Sequence, residues 1–153
     1  MTVDRFVVVP AAYVFLLRPG AAGDEVLLQL RGDVPYMAGH WAAAAAGHVE
    51  RGETAYAAAL REAREELGLT AVGLEFATTM QRHGSEQPID QRVDFFFTAR
   101  SWAGEPELRE PEKAHDLGWF RLDALPEPLV PHEAAVLAGL REGGLAPYIS
   151  FGF

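Results

Sequence analysis

The stretch from Gly47 to Leu69, GHVERGETAYAAALREAREELGL, decides how this chain is read. Thr54 is a good helix N-cap and Gly68 a good helix stop, so the residues between them read as one helix. Tyr56, Leu60, Ala63 and Leu67 recur at helical spacing. At about 100° per residue they fall within roughly 60° of one another, which predicts the buried stripe. Glu62 and Glu66 lie beside each other, away from that stripe, with Glu65 a little further round. Glutamates three and four positions apart project from the same side of a helix, and Arg61 stands just ahead with Glu53 one loop earlier. Three carboxylates converging there repel one another unless something positive sits between them. A hard divalent cation such as Mg²⁺ is the economical answer, because it takes oxygen ligands and bridges to phosphate oxygens.

Composition sets the frame. At 153 residues, 49% of them hydrophobic, the chain fits one domain with a real core, and disorder is not the reading. The net charge of -9 argues against a surface that coats a nucleic acid polymer. It leaves small phosphorylated substrates open, since a bound metal reverses the local field. With no cysteine, disulfides, thiolate catalysis and cysteine-based zinc sites are excluded. The apolar run Phe6–Leu17 is shorter than a membrane span and is interrupted by Pro10, and Asp4-Arg5 makes a poor signal-peptide start. The expectation is a soluble, cytoplasmic protein with no membrane partner.

Outward from the central helix, Phe6–Leu17 and Val26–Leu30 read as strands of a hairpin around the turn beginning at Arg18-Pro19-Gly20. Gly32–Gly39 is a loop. Leu74–Arg82 and Arg92–Ala99 read as strands around the polar loop His83–Gln91. The aromatic run in Val93-Asp94-Phe95-Phe96-Phe97 suits a strand covered on both faces. Gly104–His115 is a charged loop, Leu117–Phe120 a short strand, and Pro131–Glu142 a second helix ended by Gly143-Gly144. The aromatic tail Tyr148–Phe153 is expected to dock onto the domain. The result is an α/β fold with a mixed sheet.

The spacing Gly47, Glu53, then Arg61-Glu62-Ala63-Arg64-Glu65-Glu66-Leu67-Gly68 resembles the Nudix box, in which every charged and glycine position matches here. Only Ala63 departs, standing where a larger aliphatic residue is commoner. That family hydrolyses nucleoside diphosphates linked to another moiety, using Mg²⁺ or Mn²⁺. The segment Arg109–Pro126 and the phenylalanine-rich strand before it resemble a bacterial, MutT-like Nudix subgroup, which extends the likeness over most of the chain. The resemblance implies an α/β/α sandwich, a single Nudix domain over 1–153, and an extended rather than helical conformation for the alanine-rich Trp41–Ala46. It implies Glu62, Glu65, Glu66 and the Gly47 carbonyl as metal ligands, with Arg61 and Glu53 paired to hold the loop. The general base stays open between Glu62 and an acid of the later loop, Glu110 or Glu112.

Substrate contacts are less marked. Arg31, Tyr36, Arg82, His83 and Arg92 are candidates to meet phosphate or stack on a base, and His48 is a variable position of the box. Three functions compete. The first is a metal-dependent pyrophosphohydrolase acting on a small-molecule nucleotide. The second is an isopentenyl diphosphate isomerase, which shares the fold and a related box but needs a cysteine acid that this chain lacks. The third is a non-catalytic nucleotide sensor, a class that usually loses box residues. The tail and the Phe-rich strand either pack internally or form a homodimer seam.

Overall fold

The computed structural model describes residues 3–153. It has ten main elements: β1 (Val9–Gly20), β2 (Gly23–Arg31), β3 (Trp41–Ala43), β4 (Ala45–His48), α1 (Ala55–Leu67), β5 (Leu74–His83), β6 (Gln91–Ala99), β7 (Ala114–Arg121), α2 (Pro131–Glu142) and β8 (Tyr148–Phe151). The strands form one eight-stranded mixed sheet in the order β3-β2-β1-β6-β5-β8, with β4 also on β1 and β7 also on β2. Parallel pairing of β1 with β6 and of β5 with β8 makes it mixed.

β1 organises the molecule. Its side chains alternate between faces, as strand geometry requires. Ala12, Val14 and Leu16 enter a cluster with Ala58, Ala59, Ala63 and Leu67 of α1. Ala11, Tyr13, Phe15 and Leu17 enter the opposite cluster with Val136 and Leu137 of α2. Phe97 and Phe96 divide the same way, so β6 is covered on both faces. Two cores on two sides of one sheet make the α/β/α sandwich. Among the described residues, no helix is long and apolar enough to cross a membrane.

The ends of α1 follow from its sequence. Thr54 Oγ1 accepts from Ala57 N at 3.0 Å. Gly68 takes the left-handed conformation (φ 72°), and its N–H closes on Arg64 O at 2.9 Å. The buried face takes in Ala63 and Leu67 of the expected stripe, with Leu60 packed at its edge, but is rotated away from Tyr56. Tyr56 is 49% exposed, whereas Ala58, Ala59, Glu62, Ala63 and Leu67 are buried. Alanines let α1 lie close against the small residues of β4, so the helix is rotated and Glu62 and Glu66 fall inside the buried arc instead of at its edge.

Other boundaries shift for local reasons. β1 begins at Val9, not Phe6, and Phe6 and Val7 are exposed. It continues through Pro19, paired with Asp24, so the hairpin turn lies at Ala21-Ala22. The alanine-rich segment is extended, as β3 and β4. The aromatic tail docks as β8, with Thr79 to Arg82 paired to Tyr148 to Phe151.

Candidate active site

β4 and the second half of α1 bring the box residues together. Arg61 sits at the centre, donating through Nε and Nη2 to the two Glu53 oxygens at 2.8 and 2.9 Å. Its Nη2 also donates to His48 O at 3.0 Å, and Nη1 to Glu62 Oε1 at 2.6 Å. This fork fixes the loop 48–53 against the helix. The Arg61 hydrogen bonds pull the Glu53 carboxyl down to about 2 and hold Arg61 charged. A Cβ on Gly47 would collide with the Glu62 carboxylate, so glycine is what lets that carboxylate lie against β4.

Glu66 accepts from Ala46 N at 2.9 Å. Burial pushes its carboxyl up to about 8; that backbone bond opposes the shift, and the neighbouring Glu62 and Glu110 charges add to it. Burial raises Glu62 as well, against the pull of Arg61. Glu65 differs, because its side chain is 50% exposed and meets Arg61 Nη1 only at 3.4 Å. The three glutamates therefore do not converge equally. Among the described residues, no three carboxylates or imidazoles form a ready-made cation-binding group. What the fold does supply is two carboxyl groups held in a partly dry place, Glu62 and Glu66, with Glu110 acting on both, whose charged forms burial disfavours. Their oxygen donors fit a hard divalent cation, which would favour the charged forms.

Beside Glu66 opens a cavity of about 440 Å³, within the range of small-molecule sites. Ala11, Ala42, Ala43 and Ala46 line it, so the alanine run hollows out a site as well as packing a core. Gly47, His48 and Glu66 lie at one side, and Arg31, Tyr36, Arg82 and Arg92 line it too. A smaller cavity of about 210 Å³ shares Gln29, Arg31, Ala46 and Glu66 and adds Glu110 and Lys113, which pair at 2.6 Å. Glu110 is thus brought to the box, while Glu112 is exposed and lines neither cavity. His83 lines neither of these two cavities; it lies beside Phe153 and Gln91 and lines an adjoining one of about 280 Å³ with Tyr36, Arg82 and His132.

The far wall holds residues that the sequence reading passed over. Arg82 Nε donates to Asp94 Oδ2 at 2.7 Å, and Asp94 is wholly buried. Tyr13 OH donates to Asp94 Oδ1 at 3.3 Å and lies 3.3 Å from His132 Nε2. Glu133 Oε1 accepts from Ala43 N at 2.7 Å, tying α2 to β3. Burial raises Glu133 to about 7 and, with the charges of Arg82 and Arg92, lowers His132 to about 2. Asp94 inside an aromatic strand was the available signal, because a buried carboxylate needs a partner.

Comparison with known proteins places these features. A model of the NUDIX domain family matches residues 8–140. The chain is 30% identical over 123 residues to an isopentenyl-diphosphate Delta-isomerase of Cereibacter sphaeroides, covering 78% of this chain and 70% of that protein. It is 36% identical over 105 residues to the NAD-capped RNA hydrolase NudC of Pseudomonas aeruginosa, covering 68% of this chain but only 34% of that protein. Among solved structures, a MutT NUDIX hydrolase from Burkholderia pseudomallei superposes with a TM-score of 0.70 at 29% identity, covering 84% of this chain and 96% of that one.

Proposed function

This chain belongs to the Nudix hydrolase family, and from that premise we propose that it hydrolyses a phosphoanhydride bond in a nucleoside triphosphate or another nucleoside diphosphate derivative, with Mg²⁺ or Mn²⁺. The observation that carries this is that the buried Glu62 lies against Gly47 while the half-buried Glu66, bonded to Ala46 N, lines with Gly47 a cavity of about 440 Å³. On this reading Glu62 and Glu66, with Glu65 and the Gly47 carbonyl, hold the cation. When bound, it supplies the positive charge that offsets charge on the phosphate oxygens and on the attacking water. Glu53 and Arg61 position Glu62 through the fork of hydrogen bonds.

A base must take the proton of the attacking water. On this reading the candidates are Glu62 and Glu110, the latter lining the smaller cavity together with Glu66. We read the whole of 1–153 as one such domain, acting on a small nucleotide; the net charge of -9 supports a small substrate over a polymer.

A second reading deserves a test because one relative is an isomerase of isopentenyl diphosphate. The absence of cysteine speaks against it. Purified protein should be assayed with Mg²⁺ or Mn²⁺ against triphosphates, oxidised triphosphates, ADP-ribose, diadenosine polyphosphates and isopentenyl diphosphate, with products identified. Metal-dependent cleavage of one nucleotide class is expected. Turnover of isopentenyl diphosphate alone would favour the isomerase, and tight nucleotide binding without any turnover would favour a sensor.

A further inference from the structure

If the box holds the scissile phosphoanhydride, the larger cavity beside it also carries basic chemistry of its own. It gathers Arg31, Arg82 and Arg92, three of only thirteen basic residues in an acidic chain. These arginines are not equivalent. Arg82 is 7% exposed and its Nε is bonded to the buried Asp94 at 2.7 Å, so its charge is already matched.

Arg92 is different. Its side chain is 12% exposed, yet every contact it makes is long. Nη1 lies 3.4 Å from Ile89 O and 3.4 Å from His48 Nε2, and Nε lies 3.7 Å from Asp94 Oδ1. A formed N–H···O bond spans about 2.7–3.2 Å. Arg92 Nε is also the one buried side-chain nitrogen or oxygen without a hydrogen-bond partner among the described residues. A buried charged donor with no acceptor is costly, which calls for an acceptor that is not part of the fold. Arg31 lines the same cavity, its Nε held by Tyr36 O at 2.8 Å and its guanidinium 5.8 Å from the centre of the Tyr36 ring.

The acidic groups nearby are occupied. Asp94 serves Arg82 and Tyr13, Asp90 accepts from Ser85 Oγ at 2.6 Å, and Glu133 accepts from Ala43 N. Burial keeps Glu133 toward its neutral form and His132 uncharged, so neither cancels nor adds to the arginines at neutral pH to the extent an exposed group would.

We propose that Arg92 and Arg31 form an anion-binding subsite in the larger cavity that receives a phosphate group of the substrate other than the one attacked. This rests on the nucleotide reading above. A guanidinium matches phosphate geometry through paired donors. The phosphate is either a further member of the polyphosphate chain or a separate phosphate on the ribose.

The test is calorimetric titration of the full chain in a metal chelator with a nucleoside 5′-monophosphate, a 5′-diphosphate and a 3′,5′-bisphosphate. At least one of the last two should bind more tightly than the monophosphate. The diphosphate leading would assign the subsite to the polyphosphate chain, and the bisphosphate leading would assign it to the ribose phosphate. Arg92→Gln should weaken the preferred ligand about 10- to 100-fold, the loss of one hydrogen bond to a charged group, with Arg92→Lys losing less. Arg31→Gln should weaken it in the same direction and carries the test if Arg92→Gln does not fold. No preference for the second phosphate, or wild-type affinity in folded Arg92→Gln or Arg31→Gln protein, would overturn the subsite. Because no metal is present, that failure would leave metal-dependent hydrolysis untouched, and a failure to hydrolyse would not mimic it.

Discussion

The two walls of the cavity are built in opposite ways. The box wall comes almost entirely from one continuous stretch, Gly47 to Glu66, and its hydrogen bonds join residues close in sequence, such as Arg61 to Glu53 and Glu62. The far wall draws on β1, β5, β6 and α2, and its bonds span long separations, such as Tyr13 to Asp94 and to His132. The box wall leaves raised carboxylates incompletely matched, whereas the far wall matches Asp94 to Arg82 and leaves a cation, Arg92, without a good partner. We propose that the two divide the labour: chemistry on the contiguous wall, substrate orientation on the assembled one.

Breaking the far wall should cost the most stability. Asp94→Ala strands Arg82 in a buried site and is expected to lower the unfolding free energy by about 3–5 kcal/mol in urea denaturation, the usual penalty for breaking a buried ion pair. A loss under ~1 kcal/mol, of the order of a surface pair, would mean that water reaches Arg82.

Breaking the box wall should do the reverse. Glu66→Gln is expected to lower kcat by at least about 10²–10³-fold, the scale seen when one electrostatic group is removed from a reacting centre. Since burial already disfavours the Glu66 charge, the melting temperature should hold or rise. A stability loss with kcat preserved would exchange the roles of the two walls.

The far wall also carries a pH signature. Glu133 titrates near 7 in the fold against 4.5 otherwise, so the folded state binds the extra proton across that window. Stability from the neutral form is complete below 4.5 and declines as pH rises through about 7. The stability of wild type minus that of Glu133→Gln should therefore fall by about 1.4 kcal/mol per pH unit between those limits. His132 slopes the other way, because the unfolded state takes up its proton below 6.5 while the folded state stays neutral down to about 2. Its contribution is present above 6.5 and is lost as pH falls. Chemical denaturation of both proteins from pH 4.5 to 7.5 separates the two, and a flat difference would show that Glu133 is better solvated than its burial indicates. The smallest effect belongs to the cap, where Thr54→Ala should cost about 1 kcal/mol of stability with kcat per folded molecule unchanged.

Legibility in the sequence follows the same division. The caps of α1 and the docking of the aromatic tail were readable from the residues themselves, whereas the Arg61–Glu53 pair and the extended alanine run were readable only through the resemblance to the box, since alanines alone would suit a helix. The rotation of α1 was not. Helical spacing marked Tyr56, Leu60, Ala63 and Leu67 as the core stripe, and Ala63 and Leu67 are buried, but the alanines permit a closer approach to β4 that turns Tyr56 outward, and that geometry exists only once the sheet does. The partners of Asp94 and Ala43 were hidden for the same reason. Tyr13, Arg82, His132 and Glu133 have no spacing relation to them and meet only through strand pairing and the docking of α2.

The most direct measurement is steady-state hydrolysis of the preferred nucleotide by wild type, Glu66→Gln and Arg92→Gln across a Mg²⁺ titration, with the fold of each checked by thermal unfolding. The division of labour requires that Glu66→Gln lose kcat at every Mg²⁺ concentration, and that Arg92→Gln raise KM by far more than it lowers kcat. Metal-independent turnover, or full kcat in folded Glu66→Gln protein, would contradict it.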